Sequence, residues 1–198
     1  MHPVPVSIAH EELMRYPVRH YEGAVEVINS DERLATICTR LRAEPYLGFD
    51  TETKPSFRRG QVHPPALVQL AARDVVYLIQ LSVVSHLVPL AELLGNEAVV
   101  KAGVALEQDV AALTPVLSVR PAGLVDLGAV AQRHGVKQSG LRNLTALFLG
   151  FRITKGPRTS NWARRQLSPA QIRYAATDAW VSRLLYEHFC ERGWVRRD

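Results

Sequence analysis

Apolar runs and polar breaks divide the chain into strands and helices. Short apolar runs rich in β-branched residues predict strands over residues 24–28, 46–52, 66–71, 75–81, 99–104 and 124–126. Apolar positions at helical spacing predict helices over residues 31–42, 87–94, 106–113, 127–133, 141–149 and 169–191. Strands and helices therefore alternate along most of the chain.

The order of these elements predicts an α/β fold. A three-residue turn at 72–74 joins two strands and indicates an antiparallel hairpin. The later strand–helix alternation is typical of parallel βα units. We expect a mixed sheet, with an antiparallel meander followed by parallel βα units, flanked by helices. Residues 1–22, which hold three prolines and no clear periodicity, are predicted to form an N-terminal arm on a domain of residues 23–198.

The composition is that of an ordinary globular protein, with 47% apolar and 22% charged residues. A net charge of +5 is compatible with a polyanionic partner without requiring one. Cys38 and Cys190 form neither a disulfide framework nor a zinc-binding spacing, which favours a reducing compartment. Neither a secretory signal nor an apolar run long enough to span a membrane is evident. The sequence therefore predicts a cytoplasmic location and no membrane partner.

Four carboxylates and a tyrosine carry the candidate chemistry. Asp50 and Glu52 stand at alternate positions of a predicted strand, so both side chains point to the same face. Tyr174 and Asp178 stand four residues apart in a predicted helix and share one face of it. Asp109 follows a third apolar segment. A cluster of these acids is electrostatically costly, and divalent cations are the usual compensation.

These residues resemble the three exonuclease motifs of the DEDD superfamily. The matching segments are Phe49-Asp50-Thr51-Glu52, residues 101–109 and residues 174–178, in the same order and context. Tyr174 stands four residues before Asp178, and Arg173 occupies the place of the other subclass's histidine. The chain thus resembles the tyrosine subclass, which holds ribonuclease D and the exonuclease domain of the Werner syndrome protein. The resemblance implies a ribonuclease H-like fold.

The resemblance also implies a metal-dependent 3′–5′ exonuclease that releases nucleoside 5′-monophosphates with two divalent cations, Mg²⁺ or Mn²⁺. By this resemblance Asp50, Glu52 and Asp178 hold the ion that carries the attacking water. Asp50 bridges to the second ion, where Asp109 acts. Tyr174 hydrogen-bonds the water, and its ordinary pKa of about 10 suits a positioning group better than a base.

Basic residues and one tryptophan near the motifs are candidates for nucleic-acid contacts. These residues are Lys54, Arg58, Arg59, Lys155, Arg158 and Trp162. Two readings stay open for them. The basic side chains form either a groove for the phosphate backbone or a solvated face, and Trp162 is either a stacking platform or a core residue.

The substrate is predicted to be single-stranded or 3′-overhang DNA. Residues 101–104 and 160–162 resemble the Werner-type branch, and the last predicted helix leaves no room for the helical domain that usually follows ribonuclease D. The alternative is a 3′–5′ exoribonuclease that trims RNA or degrades oligoribonucleotides. A catalytically idle nucleic-acid-binding domain is disfavoured, because no metal-binding acid is missing.

Overall fold

The computed structural model describes residues 6–55, 63–156 and 160–196. Its strands are β1 (Ala24–Ile28), β2 (Tyr46–Thr53), β3 (Pro65–Ala71), β4 (Val75–Gln80), β5 (Val100–Gly103) and β6 (Leu124–Asp126). Its α-helices are α1 (His10–Arg15), α2 (Asp31–Leu41), α3 (Val88–Gly95), α4 (Glu107–Leu117), α5 (Leu127–Arg133), α6 (Leu141–Leu144) and α7 (Pro169–Glu191). A π-helical segment, Thr145–Leu149, follows α6 directly.

The strands form one mixed sheet in the order β1-β4-β3-β2-β5-β6. Strands β2, β3 and β4 are the antiparallel meander. Parallel pairs extend the sheet on both sides, with β5 and β6 beyond β2 and with β1 beside β4. The predicted meander followed by parallel βα units is confirmed, and β2 lies inside the sheet between β3 and β5.

Strand β2 divides its side chains between two cores. Leu47 and Phe49 are fully buried in the core that contains apolar residues of α2, α3 and α4. Gly48, which alternates with them, lies against the backbone of α7 on the opposite face. Asp50 and Glu52 continue the face of Gly48 at the end of the strand, because side chains alternate along a strand. The sheet thus directs both acids toward α7.

Helix α7 is fixed at its start and along its length. Ser168 and Gln171 form a reciprocal capping box around Pro169. Further along, the buried guanidinium of Arg183 donates a 2.6 Å hydrogen bond to the Tyr46 carbonyl and lies 4.3 Å from the centre of the Tyr46 ring. The helix is therefore held at its start and in its second half, and its contact with β2 is direct.

Three helical regions differ from the sequence prediction, and the simplest difference is that α4 continues to Leu117 instead of ending at residue 113. The arm contains α1, which the proline-rich pattern did not predict. Tertiary contacts stabilise this helix, since Ile8 and Leu13 are buried against Ala146. The predicted helix over 141–149 divides into α6 and the π-helical segment. At the junction the Thr145 hydroxyl donates a 2.6 Å hydrogen bond to the Leu141 carbonyl. This hydroxyl competes with the backbone amide for that carbonyl and so disturbs the regular helical hydrogen bonds.

The described part of the arm lies on the rest of the molecule. Val18 forms a parallel bridge with Arg152, and the Lys137 amide donates to the carbonyl of Val6. The division between residues 22 and 23 stays a prediction. Among the described residues, no helix combines the length and apolar character that a membrane crossing requires.

Candidate active site

Three acids from two distant segments meet where β2 ends against α7. Asp50 and Glu52 come from β2, and Asp178 comes from the second quarter of α7. One carboxylate oxygen of each residue lies within 4.8 Å of the other two. Glu52 and Asp178 are buried, and Asp50 keeps some exposed surface. We call this group the carboxylate trio.

Two acids of the trio, Asp50 and Asp178, hold their protons more tightly than free carboxyl groups do. The pKa of Asp50 is well above its usual range, because burial disfavours the charged form and Asp178, Glu52 and Asp109 repel it. Burial also raises the pKa of Asp178 to about 7, although a hydrogen bond from Tyr174 opposes the rise. The arrangement is therefore unfavourable without a positive charge beside it.

Asp109 lies next to the trio and is held from β2. Its residue belongs to the first turn of α4, and its carboxylate accepts a short hydrogen bond from the hydroxyl of Thr51. The Thr51 amide in turn donates a 2.9 Å hydrogen bond to the carboxylate of Asp50. Burial raises the pKa of Asp109. Thr51 thus connects the fourth acid to the trio.

Tyr174 completes the site from α7. Its hydroxyl hydrogen-bonds the Asp178 carboxylate, one turn further along the helix. Burial and the nearby carboxylates of Asp178 and Glu52 raise the pKa of Tyr174 well above its usual range. The hydroxyl therefore stays protonated at neutral pH and acts as a hydrogen-bond donor.

The residues proposed for nucleic-acid contacts differ in position. Lys54 is exposed and lies two residues after Glu52. Lys155 is also exposed and directly precedes Gly156, whose backbone packs against Tyr174. Arg58, Arg59 and Arg158 lie outside the described residues. Trp162 requires a correction, since its side chain has no exposed surface and its ring lies 6.0 Å from that of Tyr174. In this structure Trp162 is a core residue and offers no platform for a base.

Two residues that touch or face the acids are not among those predicted from the sequence. Thr51 stands between Asp50 and Glu52 in the first motif, and its position there does not reveal its contact with Asp109. Gln69 pairs directly with Asp50 across β2 and β3, so both side chains project from the same face. Its amide is fully buried, and neither amide atom has a hydrogen-bond partner among the described residues. A continuous apolar run in β3, interrupted only by Gln69, was the available signal.

The donor set of the trio fits a hard divalent cation. Three carboxylates within 4.8 Å of one another supply oxygen ligands only, which suits Mg²⁺ or Mn²⁺. The raised pKa values of Asp50 and Asp178 report a negative charge that the surrounding protein leaves uncompensated. Asp126, in contrast, caps α5 by accepting a hydrogen bond from the Ala129 amide.

Solved structures confirm the class of the fold. The Nibbler exonuclease domain of Aedes aegypti superposes with a TM-score of 0.77 at 26% identity, covering 89% of this chain and 92% of that one. Ribonuclease D of Escherichia coli superposes with a TM-score of 0.76 at 26% identity, covering 86% of this chain and 46% of that one. The fold is the ribonuclease H-like fold of exonuclease domains, with acids grouped at one end of the sheet.

Sequence comparison then gives the family. The model of the 3′–5′ exonuclease family matches residues 25–193, and the chain belongs to this family. Ribonuclease D of Granulibacter bethesdensis is 38% identical over 170 residues, which cover 84% of this chain and 42% of that protein. The chain thus spans less than half of this relative's length. Enzymes of the family use two divalent metal ions, as the sequence analysis predicted.

The backbone of Gly156 sets the position of Tyr174. A Cβ atom at residue 156 would lie 1.7 Å from Cδ2 and 2.4 Å from Cγ of the Tyr174 ring. We expect Gly156→Ala to displace the ring and to lower kcat by roughly 10–100-fold, since small misplacements of catalytic groups are costly. Rates of oligonucleotide hydrolysis under single-turnover conditions measure this effect.

Tyr174→Phe is the matched comparison for Gly156→Ala, because it removes the hydroxyl and keeps the ring. We expect the double variant to lose little more than the more damaged single variant, since both changes act through one hydroxyl. Independent, multiplicative losses would show that Gly156 acts by another route.

Proposed function

We propose that this protein is a metal-dependent 3′–5′ exonuclease that removes nucleotides from the 3′ end of RNA. The meeting of Asp50, Glu52 and Asp178 within 4.8 Å, beside the protonated hydroxyl of Tyr174, is the observation that carries the reaction type. The family relationship supports the direction of hydrolysis.

Asp50, Glu52 and Asp178 are the residues that would hold the divalent ions, with Asp109 as the fourth acid. When bound, such ions supply an acidified water and neutralise charge on the phosphoryl group. Tyr174 positions the attacking water and does not remove a proton from it, because its raised pKa keeps the proton on its own hydroxyl. Thr51 is a positioning residue that holds Asp109 through its hydroxyl.

RNA replaces the DNA that the sequence analysis favoured. The relative from Granulibacter bethesdensis is named ribonuclease D, and the structure from Escherichia coli is described as an exoribonuclease involved in structured RNA processing. The DNA preference depended on two short segments and on the length after α7. Neither observation outweighs the similarity to ribonuclease D over most of the chain.

Matched oligonucleotides test this proposal directly. RNA and DNA of one sequence, each labelled at the 5′ end, are incubated with the protein and Mg²⁺ or Mn²⁺, and separately with a chelator. We expect a descending ladder from the 3′ end that the chelator abolishes, with RNA shortened at least about tenfold faster than DNA, a difference of about 1.4 kcal/mol in transition-state binding.

Asp50→Asn is the control, because it keeps the shape of the side chain and removes its charge. A residual ladder with this variant would indicate a contaminating nuclease. Faster shortening of DNA than of RNA would support DNA as the substrate, as the sequence predicts. Specific RNA binding without any metal-dependent hydrolysis would support the idle binding domain.

A further inference from the structure

A pocket beside the carboxylate trio contains residues of the N-terminal arm. Its volume is about 440 Å³, within the range of sites for small molecules. The residues that matter for its chemistry are Val18, Arg19, His20, Thr154, Arg173 and Asp178. We call it the arm pocket.

The arm pocket opens directly onto the proposed active site. Tyr174 and Asp178 form one wall, and both also belong to the site around the trio. A group bound in this pocket is therefore next to the acids that would hold the metal ions. Apolar surface from Val18, Ile153 and Ala170 lies alongside and suits a sugar or a base.

The charges of the arm pocket suit a phosphate. Among its described lining residues, Asp178 is the one carboxylate, whereas Arg19, His20 and Arg173 are basic. Neither Arg19 nor Arg173 forms an ion pair with another described residue. Their guanidinium groups are available to an anion, and arginine pairs with phosphate through charge-assisted hydrogen bonds.

Contacts on both sides of the pocket hold the arm in place. The Arg19 amide donates a 3.0 Å hydrogen bond to the Arg152 carbonyl, and the Arg19 guanidinium carbon lies 5.6 Å from the centre of the Phe151 ring. Two residues later, the Tyr21 amide donates a 3.0 Å hydrogen bond to the Thr177 hydroxyl of α7. The pocket is thus preformed, so binding need not order the arm.

We propose that the arm pocket binds a phosphate-bearing nucleotide of the substrate strand, next to the bond that is cleaved, through Arg19 and Arg173. This inference rests on the proposed function and adds a substrate-binding role for the arm. Val18, Arg19 and His20 all precede residue 25, where the match to the family model begins. The arm supplies a contact that the matched residues alone do not contain.

The test replaces both arginines with alanine and measures RNA binding and hydrolysis. Binding is followed by fluorescence anisotropy of a labelled RNA oligonucleotide in the Asp50→Asn background, across a series of KCl concentrations. We expect Arg19→Ala with Arg173→Ala to weaken binding at least about tenfold at low salt. The slope of log Kd against log salt should fall by about 0.7 for each lost phosphate contact.

The matched control removes two exposed arginines from elsewhere on the surface, Arg40 of α2 and Arg120 after α4. It changes the net charge equally and should leave Kd and the salt slope within about twofold of the parent. In the active background, the pocket variant should raise KM for RNA at least about tenfold, the same loss as in binding.

Failure of this inference is distinguishable from failure of the proposed function. If the parent hydrolyses RNA but the pocket variant keeps the parent's Kd and salt slope, the pocket proposal is overturned. An equal loss in the Arg40 and Arg120 control would also overturn it, because the effect would then be general charge. If the parent hydrolyses no oligonucleotide with either metal, the proposed function is wrong, and RNA binding by the Asp50→Asn protein still judges the pocket.

Discussion

Asp178→Asn should abolish hydrolysis and, at the same time, stabilise the metal-free protein above neutral pH. We expect the rate to fall roughly a thousandfold or more, about 4 kcal/mol of transition-state stabilisation. The loss follows from the missing charge, because Asp178 belongs to the trio that would hold the metal ions. Tyr174 keeps an oxygen acceptor in the amide, so the site keeps its shape.

The stability gain follows from the direction of the pKa shift. Asp178 has a pKa of about 7 in the folded protein, raised from 3.8. The folded state therefore holds its proton more tightly than the unfolded chain does. Stability falls as pH rises from about 4 to about 7 and stays low above that range. The asparagine variant lacks this loss, so its free energy of unfolding at pH 8 should exceed that of the parent by roughly 2–4 kcal/mol.

Urea unfolding in chelator at pH 5 and pH 8 measures this difference. We expect the gain of Asp178→Asn to be much smaller at pH 5, and added Mg²⁺ to stabilise the parent more than the variant. Asp31→Asn provides a control of opposite sign, since hydrogen bonds from Ser85 and His86 lower the pKa of Asp31. A variant less stable than the parent at pH 8, or hydrolysis within tenfold of the parent, would contradict the assignment of the trio.

The acids could be placed from the sequence because the relevant geometry is local. Asp50 and Glu52 share a face because they are two residues apart on a strand. Tyr174 and Asp178 share a face because they are four residues apart on a helix. In the folded chain α7 packs directly against β2. Only the meeting of the two elements depends on distant contacts.

Trp162 and the arm pocket show what local patterns leave undetermined. Trp162 stands in a polar and basic stretch, yet tertiary packing buries it fully. The arm reaches the site through a hydrogen bond between Tyr21 and Thr177, which are 156 residues apart. A contact at that separation leaves no periodic signal in the sequence. The sequence therefore predicts an arm for residues 1–22 but does not indicate Arg19 as a candidate site residue.

Gly48→Ala should damage stability and activity together, because Gly48 is where β2 and α7 touch. A Cβ atom at residue 48 would lie 2.0 Å from the carbonyl oxygen of Ala179 and 2.7 Å from the amide nitrogen of Arg183. Both are backbone atoms of α7, so the helix as a whole must move. We expect a loss of about 3 kcal/mol in the free energy of unfolding, at the upper end for overpacking.

The same displacement separates the acids that the two elements carry. Asp178 moves with α7, while Asp50 and Glu52 stay on β2, so the trio widens and binds metal more weakly. We expect Gly48→Ala to raise the Mg²⁺ concentration for half-maximal activity at least about tenfold, the cost of losing about 1.4 kcal/mol of ion binding. Gly140→Ala is the matched control, since a Cβ there meets nothing within 4 Å and its φ of −74° suits alanine. Urea unfolding and Mg²⁺ titration of activity are measured for both variants. Parent-like stability and Mg²⁺ dependence of Gly48→Ala would show that the strand and helix are not in contact as described.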